Sequence, residues 1–140
     1  MLNPISAVQL IQLPYDLAHN GDLVVMEGMV HVPFEVARVF VVRGIEGAIR
    51  GQHAHKACMQ FLTCPFGEVE VHCDDGNEVA TFILNRPDVG LLIPPSIWAH
   101  QIYYAENSVL TVLCDRPYER NDYIRNYEDF KTYRIAFDNP

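Results

Sequence analysis

The chain has 140 residues, 49% of them hydrophobic and 20% charged, which suits one folded domain spanning residues 1–140 and excludes a disordered chain. Ten Lys and Arg stand against 18 Asp and Glu, and the formal net charge of −8 disfavours a surface that coats a polyanion, so nucleic acid is not an expected partner. A small anion stays open as a ligand, because two or three arginines can clamp a phosphate whatever the total charge.

The N-terminus, MLNPISAVQLIQLPYD, lacks a basic region followed by a long apolar run, and no stretch reaches ~18 consecutive apolar residues, so a cytoplasmic protein without a membrane partner is expected. Residues 7–13 read as a strand that Pro14 ends by removing a ladder donor. The HNGD turn, His19 to Asp22, then leads into a second strand over residues 23–28. Residues 30–44, rich in β-branched and aromatic side chains, read as a loop around Pro33 feeding a strand of about 8 residues.

Next comes RGQHAHK, Arg50 to Lys56, followed by the apolar run Cys58 to Cys64 and Gly67. In residues 68–84, Glu68, Glu70 and His72 alternate with Val69, Val71 and Cys73 before the Asp75-Gly76 turn, so one face is wet and the other packed. Short strands around residues 91–98, 100–105 and 108–115 complete the series. With no helical period before residue 118, an antiparallel sandwich or barrel is predicted. One helix is expected near the end, capped by Asn121 or Asp122, with Tyr123, Tyr127 and Phe130 as a packing stripe. The cysteines, Cys58, Cys64, Cys73 and Cys114, form no C-x-x-C pair and read as buried free thiols.

His53 and His55, two residues apart in a strand, project to one face. Paired imidazoles suit metal ligation or acid–base chemistry; a solvated edge strand or hydrogen-bonded core histidines would show the same spacing. Gly47, His53, His55, Gln60 and Gly67 spell G-x5-H-x-H-x4-Q-x6-G. This resembles the first motif of the cupin superfamily, in which a glutamate usually stands where Gln60 stands and joins the histidines as a metal ligand. The second cupin motif is approximated by residues 94–99, with Ala99 in place of the third ligand histidine and His100 one residue out of phase. Two histidines and a neutral amide make a poor site for a divalent ion, so no metal and no cofactor are expected.

Longer strings, among them NGDLVVMEG, VPFEVARVF, RGQHAHKACMQFL, GLLIPPSIW and YERNDYIRNY, are similar to the WxcM-like cupins, which include the dTDP-4-keto-6-deoxyglucose 3,4-ketoisomerases. The resemblance implies an all-β, cupin-type double-stranded β-helix (a jelly-roll barrel) with a short C-terminal helix. It also implies a homodimer acting on a dTDP-linked keto sugar on the way to 3-amino-3,6-dideoxy sugars of O-antigen or S-layer glycans. Within it His55 is assigned as the carbon base and His53 as its partner at the sugar oxygens, the reverse assignment staying open. Arg50, with Arg43 and Lys56 as further candidates, would meet the pyrophosphate. Gln60, Trp98 and Tyr103 or Tyr104 would line the substrate pocket. Val41 stands where the ketoisomerases place an active-site tyrosine, so another donor, such as Tyr103, Tyr104 or His100, would be recruited. The alternatives are a sugar-nucleotide-binding cupin without turnover, and a metal-dependent cupin enzyme.

Overall fold

A computed structural model describes residues 2–138. In chain order the strands are β1 (Gln9–Gln12), β2 (Tyr15–Ala18), β3 (Gly21–Val24), β4 (Arg38–Gly44), β5 (Ile49–His55), β6 (Gln60–Phe66), β7 (Val69–Asp74), β8 (Val79–Leu84), β9 (Val89–Ile93), β10 (Trp98–Tyr103), β11 (Ser108–Cys114) and β12 (Tyr123–Ile124). A single α-helix follows among the described residues, α1 (Tyr127–Asp138).

The strands form two five-stranded sheets, ordered β1-β9-β6-β11-β4 and β12-β5-β10-β7-β8, and every strand pairing is antiparallel. Their facing sides share one apolar core that includes Leu62, Cys64, Val71, Cys73, Leu91, Ala99, Leu110 and Val112. Alternation produces this arrangement: along β7 the buried Val69, Val71 and Cys73 take turns with half-buried Glu70, His72 and Asp74. The expected all-β jelly roll with one short C-terminal helix is therefore the observed fold.

Two smaller clusters cover the outer faces. Leu13, Val32 and Phe34 of the N-terminal loops pack on Phe61 and Leu113 of the first sheet. Ala54 and Ile124 of the second sheet lie under Phe130 of α1. The hairpin β2–β3 pairs with no other strand among the described residues, and its Leu17 and Leu23 stay 71% and 59% exposed.

Three local expectations change. β3 ends at Val24, not at Gly28, because the Glu27 carbonyl gathers the N–H groups of Val30, His31 and Val32 into a turn. The helix starts at Tyr127, with Asn126 Oδ1 accepting the Asp129 N–H at 3.0 Å; Asn121 and Asp122 lie instead in a short 3-10 turn. Tyr123 leaves the helical stripe to pair with His55 across the β12–β5 ladder, while Tyr127 and Phe130 pack against Trp98.

One irregularity in β5 positions the site. Gly51 and Gln52 adopt positive φ values of 88° and 55°, and the β10 ladder passes from Ala99↔His53 to His100↔Gly51, leaving Gln52 as an inserted residue. A Cβ on Gly51 would lie 3.2 Å from the Ala99 carbonyl oxygen, a tight approach to backbone, so contact as well as dihedral angle favours glycine. The insertion shifts the alternation by one residue, which turns Arg50 and His53 to the same side.

Candidate active site

Between the sheets lies a cavity of about 110 Å³ whose polar lining comes from Arg50, His53, Gln60, Gln101 and Tyr103, with Phe40, Val42 and Leu62 among its apolar walls. His53 Nδ1 lies 3.1 Å from the Gly51 carbonyl. A carbonyl only accepts, so Nδ1 carries the proton and Nε2 holds the free lone pair. Burial, helped by the neighbouring His55, lowers the His53 pKa to about 4.

His55 is 5% exposed and its ring centre is 5.0 Å from that of His53. Its Nδ1 lies 2.8 Å from Asp122 Oδ2, and Asp122 is itself buried. The Asp122 carboxylate also accepts the N–H groups of Ala57 at 2.7 Å and Cys58 at 3.3 Å. Burial alone would raise Asp122, but the bond from His55 and these amides hold its carboxyl below the usual range. Burial lowers the His55 pKa as well, against the opposing pull of Asp122. The pair is thus a neutral imidazole donating Nδ1–H to a carboxylate. His55 Nε2 is left buried and without a hydrogen-bond partner among the described residues. Both rings consequently offer an unprotonated Nε2 at neutral pH.

The Tyr123 ring contacts both imidazoles, 5.1 Å from His53 and 4.3 Å from His55 between ring centres. Arg38 Nη2 donates to the Tyr123 hydroxyl at 3.3 Å, and the Arg125 guanidinium lies over the same ring at 4.3 Å. A phenol that accepts from a guanidinium keeps its own O–H free to donate. Asp122, Tyr123 and Arg38 are not among the site residues expected from the sequence. Asp122 and Tyr123 read as a helix cap and a helix stripe, and only the ladder between β12 and β5 brings them to the histidines.

Of the residues singled out, Arg50, His53, Gln60 and Tyr103 share the cavity, and His55 adjoins His53. Lys56 lines a separate depression with Tyr123, Arg125 and Tyr133. Arg43 is exposed beside Glu46 and Glu106, outside the cavity. Trp98 lies on the outer side of its sheet, in a pocket with His72, His100 and Tyr127. His100 stacks on His72 there, and Tyr104 is 45% exposed. Val41 is corrected: it is 57% exposed on the outer side of β4, while its neighbours Phe40 and Val42 face the cavity. Residue 41 therefore cannot deliver a hydroxyl to this space, whatever its identity.

The donors do not fit the metal centre that many cupins carry. Ala99 sits buried between His53 and Cys73 in the two ladders, with no donor atom. The Gln60 amide donates to Cys114 Sγ at 3.8 Å. That leaves the Nε2 atoms of two imidazoles, fewer than the three protein donors that generally hold a catalytic metal ion.

A jelly roll with two sheets closing over paired histidines defines a cupin-type protein. Residues 6–135 match the family described as FdtA: WxcM-like, C-terminal, and the chain belongs to that family. The TDP-4-oxo-6-deoxy-alpha-D-glucose-3,4-oxoisomerase of Aneurinibacillus thermoaerophilus is 38% identical over 115 residues, 81% of this chain and 83% of that one. The sugar 3,4-ketoisomerase QdtA of Thermoanaerobacterium thermosaccharolyticum, solved with TDP, superposes with a TM-score of 0.91 at 32% identity, over 96% of this chain and 98% of that one. A variant of QdtA solved with TDP-4-keto-6-deoxyglucose gives a TM-score of 0.88 at 32% identity, over 92% and 94% of the two chains.

Proposed function

We propose that the chain is a 3,4-ketoisomerase of a TDP-linked 4-keto-6-deoxyhexose, working by histidine acid–base catalysis without a metal. The observation that carries this reading is the orientation of the two imidazoles: each Nδ1 is tied to an acceptor, so each Nε2 is a base at neutral pH.

His55 Nε2 removes the C3 proton. The electron pair moves into a C3–C4 double bond as O4 takes up a proton, giving an enediol. The O3 proton then leaves as the C3 carbonyl forms, and C4 receives a proton. Asp122 holds the His55 ring in the correct tautomer and stabilises the imidazolium formed when C3–H is broken. His53 serves the sugar oxygens, together with Tyr123 or the buried Tyr103 hydroxyl. The exchange of His53 and His55 between these roles leaves the chemistry unchanged, and single variants distinguish them. The cavity is far smaller than the ~300–1,000 Å³ of sites that enclose a drug-sized ligand. It suits the sugar end, with the nucleotide at the mouth and Arg50 reaching the pyrophosphate. A 3-keto product is the form that an aminotransferase converts to a 3-amino-3,6-dideoxy sugar.

The reading with binding but no turnover rested on Val41, whose outward position removes that support. Four free thiols suit a reducing cytoplasm. The apolar, unpaired β2–β3 hairpin and the edge strand β4 favour a homodimer, which light scattering tests.

The activity test is incubation with TDP-4-keto-6-deoxyglucose in deuterated water. Deuterium should enter the ring and a 3-keto isomer should accumulate. A folded, TDP-binding protein that incorporates none would overturn the proposal.

A further inference from the structure

The geometry points to a transition-metal site outside the cavity, formed by His55, Cys58 and Asp122, at which zinc binding disarms the base. The three side chains come from the end of β5, the loop after it and the turn before β12, and one donor atom of each lies within 4.8 Å of the other two. All three are buried, at 5%, 2% and 7% exposure, and Asp115 is a further carboxylate near Cys58. A tetrahedral ion with zinc–ligand bonds of ~2.0–2.3 Å needs its donors roughly 3.3–3.6 Å apart. His55 Nδ1 and Asp122 Oδ2 are now 2.8 Å apart, so their hydrogen bond opens by less than an ångström to admit the ion. Two backbone N–H groups already fix the carboxylate, and Cys58 supplies one of them, which keeps its thiol beside the acid.

An imidazole nitrogen, a thiolate and a carboxylate oxygen are the donor set of zinc and cobalt, and a poor one for magnesium or calcium. The proton balance carries the consequence. Cys58 releases its S–H proton to solvent, and the proton on His55 Nδ1 is displaced to Nε2 as the metal takes Nδ1. One proton is released per ion, and Nε2 changes from acceptor to donor. The ion's two charges meet one carboxylate and one thiolate, and Arg38 and Arg125 act on the same imidazole. With these two cations nearby and Arg116 acting on Asp122 and Cys58, the site suits reversible inhibition more than a permanent structural ion.

The binding stands on geometry alone; the inhibition rests on the proposed role of His55. Cobalt titration should give tetrahedral visible bands and a thiolate-to-cobalt charge-transfer band at one ion per chain, with calorimetry in two buffers reporting one proton released. Zinc should abolish isomerisation of TDP-4-keto-6-deoxyglucose, EDTA should restore it, and magnesium should leave it unchanged. Cys58→Ala and Cys58→Ser should keep metal-free turnover, weaken zinc binding at least tenfold and lose zinc sensitivity, whereas Cys64→Ala should behave as the unaltered chain. Absence of stoichiometric binding, or equal binding by the two Cys58 variants, would overturn the site. If no variant and no condition gives turnover, the cobalt spectra and calorimetry still decide it.

Discussion

Asp122 Oδ2 accepts the Nδ1–H of His55 at 2.8 Å across 67 positions of sequence, and the same carboxylate anchors the N–H groups of Ala57 and Cys58. One side chain thereby sets both the tautomer of the proposed base and the course of the chain leaving it.

Replacement of this carboxylate by its amide separates the two tasks. Asp122→Asn should lower kcat by ~10²–10⁴-fold with KM changed only a few-fold, since the charge that stabilises imidazolium is lost while shape is kept. The acid limb of the rate profile should also move to lower pH, because Asp122 holds the His55 pKa up. Steady-state kinetics across pH checks both; an unchanged limb would leave Asp122 a purely structural role.

The pH dependence follows from the two lowered imidazoles. His53 titrates near 6.5 unfolded and near 4 folded, so between these values the unfolded chain binds the extra proton. Stability from this group is complete above about pH 6.5 and falls as pH drops toward 4. Denaturant midpoints at pH 7.5, 5.5 and 4.5 should decline in that order. The acid limb of kcat/KM should lie below pH 6.5 for the same reason.

Removal of either ring should divide the roles. His55→Gln should block loss of the C3 proton and with it deuterium entry into the ring, a loss of ~10³-fold or more, while His53→Gln should slow turnover by ~10²-fold and still allow slow exchange. Exchange followed by mass spectrometry or NMR reads this directly. The opposite pattern would transfer the base to His53.

On β4, a phenol at two adjacent positions should act differently. Val41→Tyr adds a ring to a side chain facing away from the cavity and should leave kcat within about twofold. Phe40→Tyr places a hydroxyl at the cavity wall and should change kcat or KM by more than that. Tyr123→Phe, which removes the hydroxyl bonded to Arg38, should cost ~10-fold or more if that phenol takes part in the relay.

At the bulge of β5, Gly51→Ala should destabilise by ~1–3 kcal/mol, from the positive φ and the tight approach to the Ala99 carbonyl. Because Arg50 owes its direction to that bulge, affinity for TDP should weaken too, which calorimetry measures.

The sheets were legible because period-two alternation, the Asp75-Gly76 turn and the prolines are local signals. His53 and His55 were legible together for the same reason. The contribution of Arg50 needed the insertion at Gln52, which one glycine only suggests. Asp122 carried a misleading signal, since an acidic residue before an aromatic stripe reads as a helix cap until a histidine 67 residues away claims it. The string match places Val41 where the ketoisomerases have an active-site tyrosine, yet the phase of β4, set by its ladder to β11, turns Phe40 and Val42 to the cavity. Trp98 and Arg43 belong to other surfaces because motif proximity says nothing about which side of a sheet a residue occupies.

The unpaired β2–β3 hairpin bears on how the polypeptide survives its own synthesis. Leu17 and Leu23 remain in water while β4 ends its sheet with Val39 and Val41 uncovered, so the chain presents sticky, strand-ready borders. Precipitation during overproduction should begin there, and chaperone demand should fall when charged side chains blunt these borders.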